Sequence, residues 1–236
     1  MVNLQEHIIM IIAENVEQGS EEWLNLRKGR ATASEAKNIL TSTGAVSKSR
    51  VGYMRKLARE CVCDDPLVFM GNKHTEWGHE HEHDARELFT KETGLNVQEV
   101  GFCTREDKII GFSPDGLGLT GELTEGGIYI PQDGDFGYET KCPGVDKHVA
   151  YVMEGKLPTE YKVQVHWSLA ASGLKVWYFM SYFPGLNPLI LKIEADGFTE
   201  KVKAAQDQFL IEYAPERERV LDAILPSRKQ EEESII

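Results

Sequence analysis

The strongest constraint on this chain is where its two hydrophobic periods fall. Strand-like segments bunch in the middle, at Val97 to Thr104, Lys108 to Phe112 and Tyr138 to Lys141, with helical spacing on either side. Two short helices are expected at Ser20 to Arg27 and Thr32 to Leu40, each opened by a capping residue with acidic followers. A third covers Val51 to Val62, and a longer one runs from Glu76 to Glu92 and is stopped by Gly94. Beyond the strands, Tyr161 to Ser172 is helical, Val176 to Tyr182 and Leu189 to Ile193 make a strand pair around Pro184-Gly185, and Asp196 to Ile224 is a closing amphipathic helix. Gly116 to Gly137 is a glycine-rich stretch in which Tyr129 and Ile130 form a small extra hairpin. Helices around a central set of strands predict an α/β fold with a central mixed β-sheet flanked by helices.

Composition narrows the class. The 236 residues, 41% of them hydrophobic, suffice for one domain over 1–236, with 1–15 as an N-terminal extension and 229–236 as a frayed tail. No apolar run reaches membrane-spanning length, and Ile8 to Ile12 is too short for a secretory signal, so a cytoplasmic protein without membrane contact is expected. Cys61, Cys63, Cys103 and Cys142 form no C-x-x-C pair, which predicts reduced thiols rather than a disulfide framework or zinc ribbon. No glycine-rich phosphate loop is present, which excludes common nucleotide hydrolysis. The net charge of −12 divides unevenly: Arg27 to Lys73 carries +6, leaving −18 elsewhere. That division predicts one basic face for a polyanion and an acidic exterior.

The chemistry is concentrated in Ser113-Pro114-Asp115-Gly116 and Glu139-Thr140-Lys141. On a strand Glu139 and Lys141 share a face because side chains alternate. Asp115, at a turn after the preceding strand, joins them if the two strands pair. Two facing carboxylates are hard to keep ionised without a cation, and magnesium suits two carboxylates, water and a substrate phosphate. Such a set serves phosphodiester hydrolysis, with Lys141 orienting or deprotonating the water.

Several blocks in fixed order carry a family resemblance. They are Glu17-Gln18-Gly19 with Trp23 and Leu26-Arg27, Thr32-Ala33-Ser34-Glu35, Trp77-Gly78 with Glu82 and Asp84-Ala85-Arg86, Ser113 to Leu117, Glu139 to Pro143, and Gln164-Val165. Together they resemble the lambda-exonuclease and YqaJ-type viral recombinase family, a branch of the PD-(D/E)XK nucleases with a restriction-endonuclease-like core. The resemblance implies a 5′-to-3′ exonuclease on linear double-stranded DNA that releases 5′-mononucleotides and leaves 3′ overhangs for recombination. It also implies a bacterial host cell and a phage or prophage source. Asp115, Glu139 and Glu82 would ligate two Mg2+ ions, for which Mn2+ substitutes. Lys141 would be the motif lysine and Gln164 would lie beside the metal site. Arg27, Ser34 and Ser113 would hold the DNA phosphate near the 5′ end. A ring-shaped homotrimer and a single-strand annealing protein are the implied partners.

Three further readings compete. His79-Glu80-His81-Glu82-His83 contains the H-E-x-x-H zinc-peptidase signature, yet Arg86 and Phe89 stand where a metzincin extension needs glycine and histidine. A nonenzymatic DNA-end-binding module would keep the same fold without catalysis. A structure-dependent endonuclease of the same superfamily would use the same metal chemistry without needing a free end.

Overall fold

A computed structural model of the chain describes residues 8–63 and 73–226, apart from the side chains of 73–76, 78 and 79. The expected tail at 229–236 therefore lies outside the described residues. The strands gather into two sheets rather than one. The first contains β1 (Met10–Ala13), β2 (Ala31–Thr32), β3 (Phe102–Arg105), β4 (Ile110–Phe112) and β6 (Ile128–Tyr129), in the order β2-β4-β3-β1-β6. The second contains β5 (Gly116–Gly118), β7 (Phe136–Lys141), β8 (Val176–Ser181) and β9 (Leu189–Glu194), in the order β5-β7-β8-β9. Both are mixed, since β2 runs parallel to β4 and β7 parallel to β8.

Among the described residues, six α-helices accompany them: α1 (Glu21–Arg27), α2 (Arg50–Glu60), α3 (Lys73–Thr93), α4 (Val145–Glu154), α5 (Thr159–Ser172) and α6 (Gly197–Ile224). A parallel strand pair needs a long crossover, and α4 with α5 supplies the one from β7 to β8. α5 touches β3 and β4 of one sheet and β7 and β8 of the other. It therefore has almost no polar face: Val163 and every residue from Val165 to Ser172 are buried. A helix apolar all round belongs in a core. Trp167 of α5 is fully buried and donates its indole N–H to the Gly111 carbonyl at 3.1 Å, which fixes α5 against β4. α6 packs on α2 and α5, its start closed by a capping box between Asp196 and Thr199.

Several expectations change. Residues 10–13, read as part of an extension, form an inner strand between β3 and β6. Tyr129 belongs to no local hairpin; Ile128–Tyr129 pairs with β1 instead. The segment Thr32 to Leu40 holds strand β2 and a 3-10 helix, Ala33–Asn38, rather than an α-helix. The strand expected from Val97 is confined to Phe102–Arg105, with a separate bridge from Gln98 to Leu117. Helix α4 adds an element that the hydrophobic spacing does not predict.

The glycine-rich stretch has its own internal order. Asp135, 3% exposed, accepts from Thr120 N and Oγ1, Tyr129 Oη and Gln132 N at 2.7–2.8 Å, so one buried carboxylate gathers its two ends just before β7.

Candidate active site

β7 is an inner strand whose side chains alternate, and Glu139 and Lys141 fall on one face as the period requires. Lys141 Nζ donates to Glu139 Oε1 at 2.5 Å. Gln164, on the first turns of α5, donates its Nε2 to the same oxygen at 2.6 Å. Asp115 arrives by a different route from the one expected. Its preceding strand β4 does not pair with β7; β5, directly after it, does, with Gly116 opposite Tyr138. Asp115 N–H donates to Tyr138 O at 3.0 Å and Thr140 N–H donates to Asp115 Oδ2 at 2.7 Å. Backbone register thus sets two carboxylates and one ammonium side by side.

The electrostatics follow from that crowding. Burial, then the neighbouring Glu139, push the Asp115 carboxyl well above the usual carboxylate range; Lys141 opposes this and Glu82 adds to it. Burial works against the charge on Lys141, but Glu139 and then Asp115 outweigh it and hold its pKa above the ordinary lysine value. Its carboxylate neighbours thus hold Lys141 as a cation, which favours orienting water over deprotonating it. Glu82, on α3, faces the same cleft as Asp115, a hollow of about 1000 Å3 also lined by Gln18, Arg86, Gln98 and Glu99. Among the described residues no three His, Cys, Asp or Glu side chains are drawn together closely enough to hold a metal ion. The pair Asp115 and Glu139 is the part of the expected ligand set that is assembled.

Next to this cluster lies a second polar pocket. Arg27, at the end of α1, directs Nη1 to Ser113 Oγ at 3.2 Å and Nη2 to Ser34 Oγ at 3.1 Å. Its guanidinium lies 4.3 Å from the Trp23 ring, one helical turn earlier. Trp23 Nε1 also donates to Ser113 Oγ, at 3.0 Å. With two donors aimed at its oxygen, the Ser113 hydroxyl proton is directed away from both. Ser34 is no helix cap, since Thr32 occupies that position and makes no side-chain cap bond. Burial lowers the Arg27 pKa, against the opposing influence of Tyr53, Glu35 and Glu60, but a guanidinium stays charged in proteins. Arg27, Ser34 and Ser113 are thus brought together, and the turn 113–115 joins them to Asp115. Trp23 and the Thr140 amide are the partners that sequence reading missed; the four-residue spacing of Trp23 and Arg27 on one helix was the available signal.

Of the histidines near Glu82, His83 lines the cleft that Glu82 shares with Asp115. His83 is exposed and pairs with Glu87 at 3.8 Å, and His81 pairs with Asp84 at 3.6 Å, while the His79 side chain lies outside the described residues. All four cysteines are free thiols. The expected basic face is partly neutralised, because Arg50 pairs with Glu212 at 3.1 Å and Arg55 with Glu216 at 2.7 Å, both on α6. No helix among the described residues is long and apolar enough to cross a membrane.

The profile of the YqaJ-like viral recombinase domain matches residues 22–175, about two thirds of the sequence. The chain belongs to the YqaJ-like viral recombinase family. Solved structures agree with this membership. The alkaline exonuclease LHK-Exo from Laribacter hongkongensis is 28% identical over 86% of this chain and 97% of its own, with a TM-score of 0.68. The same enzyme in complex with dAMP superposes with a TM-score of 0.66 at 27% identity, over 86% of this chain and 97% of its own. A phage-related exonuclease from Haemophilus somnus 129PT shares the fold at 18% identity, over 78% of this chain and 96% of its own, with a TM-score of 0.51. No curated protein matches the chain in sequence. The family domain covers nearly all of α1, the 113–115 turn, β7 and α5, and so contains Arg27, Ser34, Glu82, Ser113, Asp115, Glu139, Lys141 and Gln164.

Proposed function

We propose that this YqaJ-like chain is a magnesium-dependent 5′-to-3′ exonuclease on linear double-stranded DNA, releasing 5′-mononucleotides and leaving 3′ overhangs for a single-strand annealing protein. One observation carries the reading: a single three-residue turn, Ser113 to Asp115, joins a guanidinium–hydroxyl pocket to a carboxylate–lysine cluster. The first suits a terminal phosphate and the second suits attack on the adjoining phosphodiester. Planar guanidinium with hydroxyl donors is the pattern that recognises phosphate oxygens. The similarity to alkaline exonucleases supports the same reaction class.

The donor set fits a hard divalent ion. Asp115 and Glu139 are held together at a cost that shows in the raised Asp115 pKa, and Mg2+ is commonly bound through one or two carboxylates with water and substrate phosphate completing its shell. Asp115 and Glu139 would hold Mg2+ or Mn2+, with Glu82 contributing from α3 and room for a second ion in the cleft. When bound, the ion supplies a water of lowered pKa and stabilises charge on the phosphoryl group. The protein's own groups do the rest. Gln164 fixes the Glu139 carboxylate, Lys141 remains protonated and neutralises developing charge, and Arg27 with Ser34 and Ser113 sets the register of the 5′ end.

The test is end-labelled degradation of linear and closed circular duplex DNA with magnesium, with chelator, and with calcium. Stepwise loss of linear duplex from phosphorylated 5′ ends, absent with chelator or calcium, is expected. Asp115→Ala, Glu139→Ala and Lys141→Ala should each abolish it while remaining folded. Wild-type rates in all three would overturn the site, and cleavage of closed circles would replace the exonuclease by an endonuclease.

A further inference from the structure

Gln18 lies in the loop before α1 and reaches 96 residues along the chain to the turn that carries Asp115. Its Nε2 donates to Pro114 O at 2.8 Å and to Val100 O at 3.0 Å. An amide nitrogen has two protons, so both are used. Proline has no backbone N–H, and the Pro114 carbonyl is the backbone polar group by which that residue can be fixed. Gln18 takes it.

The neighbours of Pro114 are held from both sides. Trp23 Nε1 and Arg27 Nη1, on the helix that follows Gln18, hold Ser113 Oγ. Tyr138 O and Thr140 N, on β7, hold the Asp115 backbone and carboxylate. The turn is therefore a bridge of three residues with the phosphate pocket at one end, the carboxylate cluster at the other and Gln18 under its centre. The Gln18 side chain bonds to Val100 and Pro114 rather than to Asp115, Glu139 or Lys141, so it acts on the cluster through the turn.

We propose that Gln18 is a positioning residue that stiffens the Ser113-Pro114-Asp115 turn, so that phosphate engagement at Arg27 and Ser113 and cation binding at Asp115 reinforce one another. This rests on the nuclease reading above. Without the clamp, Pro114 is free to shift relative to β7. A displacement of about 1 Å in a positioning group costs on the order of 100-fold in rate. Two ligands that favour the same placement of one turn bind cooperatively, and the coupling is reciprocal.

The experiment uses the full chain and reads Mn2+ affinity by electron paramagnetic resonance alongside kcat and KM. Duplexes whose terminal linkages are nuclease-resistant phosphorothioates carry either a 5′-phosphate or a 5′-hydroxyl. In the wild type the phosphorylated end is expected to tighten Mn2+ binding about tenfold relative to the hydroxyl end. Gln18→Met keeps the length but removes the donors, and Gln18→Glu keeps the shape but sets acceptors against two carbonyls. Both should collapse that ratio towards one and lower kcat by about 10- to 100-fold, with KM moving less than about threefold because Arg27, Ser34 and Ser113 are intact. A variant that loses its near-ultraviolet circular dichroism is replaced by Gln18→Asn, whose shorter amide reaches one carbonyl and should give a partial loss. Absence of the wild-type ratio overturns the proposal, as do variants with wild-type ratio and kcat, or a change in KM alone. Asp115→Asn separates the two readings. If it loses Mn2+ binding and cleavage while the Gln18 variants lose neither, Gln18 alone is refuted. If it keeps Mn2+ affinity and the wild type leaves duplex DNA intact, the nuclease reading falls.

Discussion

Replacing Asp135 tests whether the glycine-rich stretch is a built part of the site's scaffold. Its carboxylate accepts four hydrogen bonds, from Thr120 N and Oγ1, Tyr129 Oη and Gln132 N. Thr120 and Gln132 are exposed residues, so in Asp135→Ala their donors recover water and each bond costs only about 0.5 kcal/mol. Tyr129 is 1% exposed, and its hydroxyl would lose its charged acceptor, which costs about 2 kcal/mol. The total is about 3.5 kcal/mol, which at roughly 2–4 °C per kcal/mol for a chain of this size lowers Tm by about 7–14 °C. Asp135→Asn keeps one acceptor oxygen for Thr120 but turns N–H groups toward the Tyr129 and Gln132 donors, and should lose about 2.5 kcal/mol. Thermal unfolding followed by circular dichroism at two wavelengths measures both, with coincident transitions as the check on two-state behaviour. Because Asp135 directly precedes β7, cleavage should fall below the reduced midpoint too. A midpoint for Asp135→Ala within about 2 °C of wild type would refute the reasoning.

Arg27→Lys keeps the charge but loses the fork that reaches Ser34 and Ser113 together, so it should slow phosphorylated ends at least tenfold while leaving hydroxyl ends nearly unchanged, as read by competition between the two. Asp115 has a folded pKa raised above its ordinary 3.8, so the native state binds its proton more tightly than the unfolded chain does. In chelator, its contribution to stability is present at acid pH and is lost as pH rises through the folded pKa; Asp115→Asn should flatten that slope in urea titrations. Magnesium at about 100 times its Kd should stabilise the wild type by about 2.7 kcal/mol and this variant by much less, measured as a Tm shift. The Glu216 carboxyl is pulled down to about 2 by Arg219 and Arg55, so its contribution is present at neutral pH and lost as pH falls towards 2. Glu216→Gln should then cost under about 1 kcal/mol at pH 7, screened by salt, and only a small fraction of that at pH 2. We further propose a ring-shaped homotrimer, because the pairing of Arg50 and Arg55 with α6 reduces the charge with which one copy could retain DNA. Light scattering should give about three times the 26.6 kDa chain mass, and a strict monomer would exclude the ring.

What could be read in the sequence was local periodicity. Glu139 and Lys141 share a face because a strand alternates, and α2, α3, α5, β8, β9 and α6 follow their hydrophobic spacing. What was hidden depends on partners far away in the chain. β5 was masked by its glycines, which look like loop formers but permit close approach: a methyl on Gly116 would lie 2.0 Å from Val97 Cγ1, and one on Gly118 would lie 2.1 Å from the Phe136 ring. The division into two sheets was equally invisible, because α5 touches both and no pattern within α5 states what lies on either side. In the site, Ser113 and Arg27 were legible as motif residues. The contacts of Trp23 and Gln18 with Ser113 and Pro114 were not, since they cross 90 and 96 residues of sequence. The charge split overstated the basic face, because net charge along a sequence does not state that Glu212 and Glu216 fold back upon Arg50 and Arg55.

The inner position of β1 sets a timetable for synthesis. Met10–Ala13 is synthesised well before its partners Phe102–Arg105 and Ile128–Tyr129. At about 5–20 residues per second, the strand waits roughly 6–24 s for the second of them. Throughout that interval an apolar strand has both edges open, and contacts of such long sequence separation form slowly even once both partners exist. The nascent chain is thus open to mispairing at β1, and crowding at high expression would be felt there.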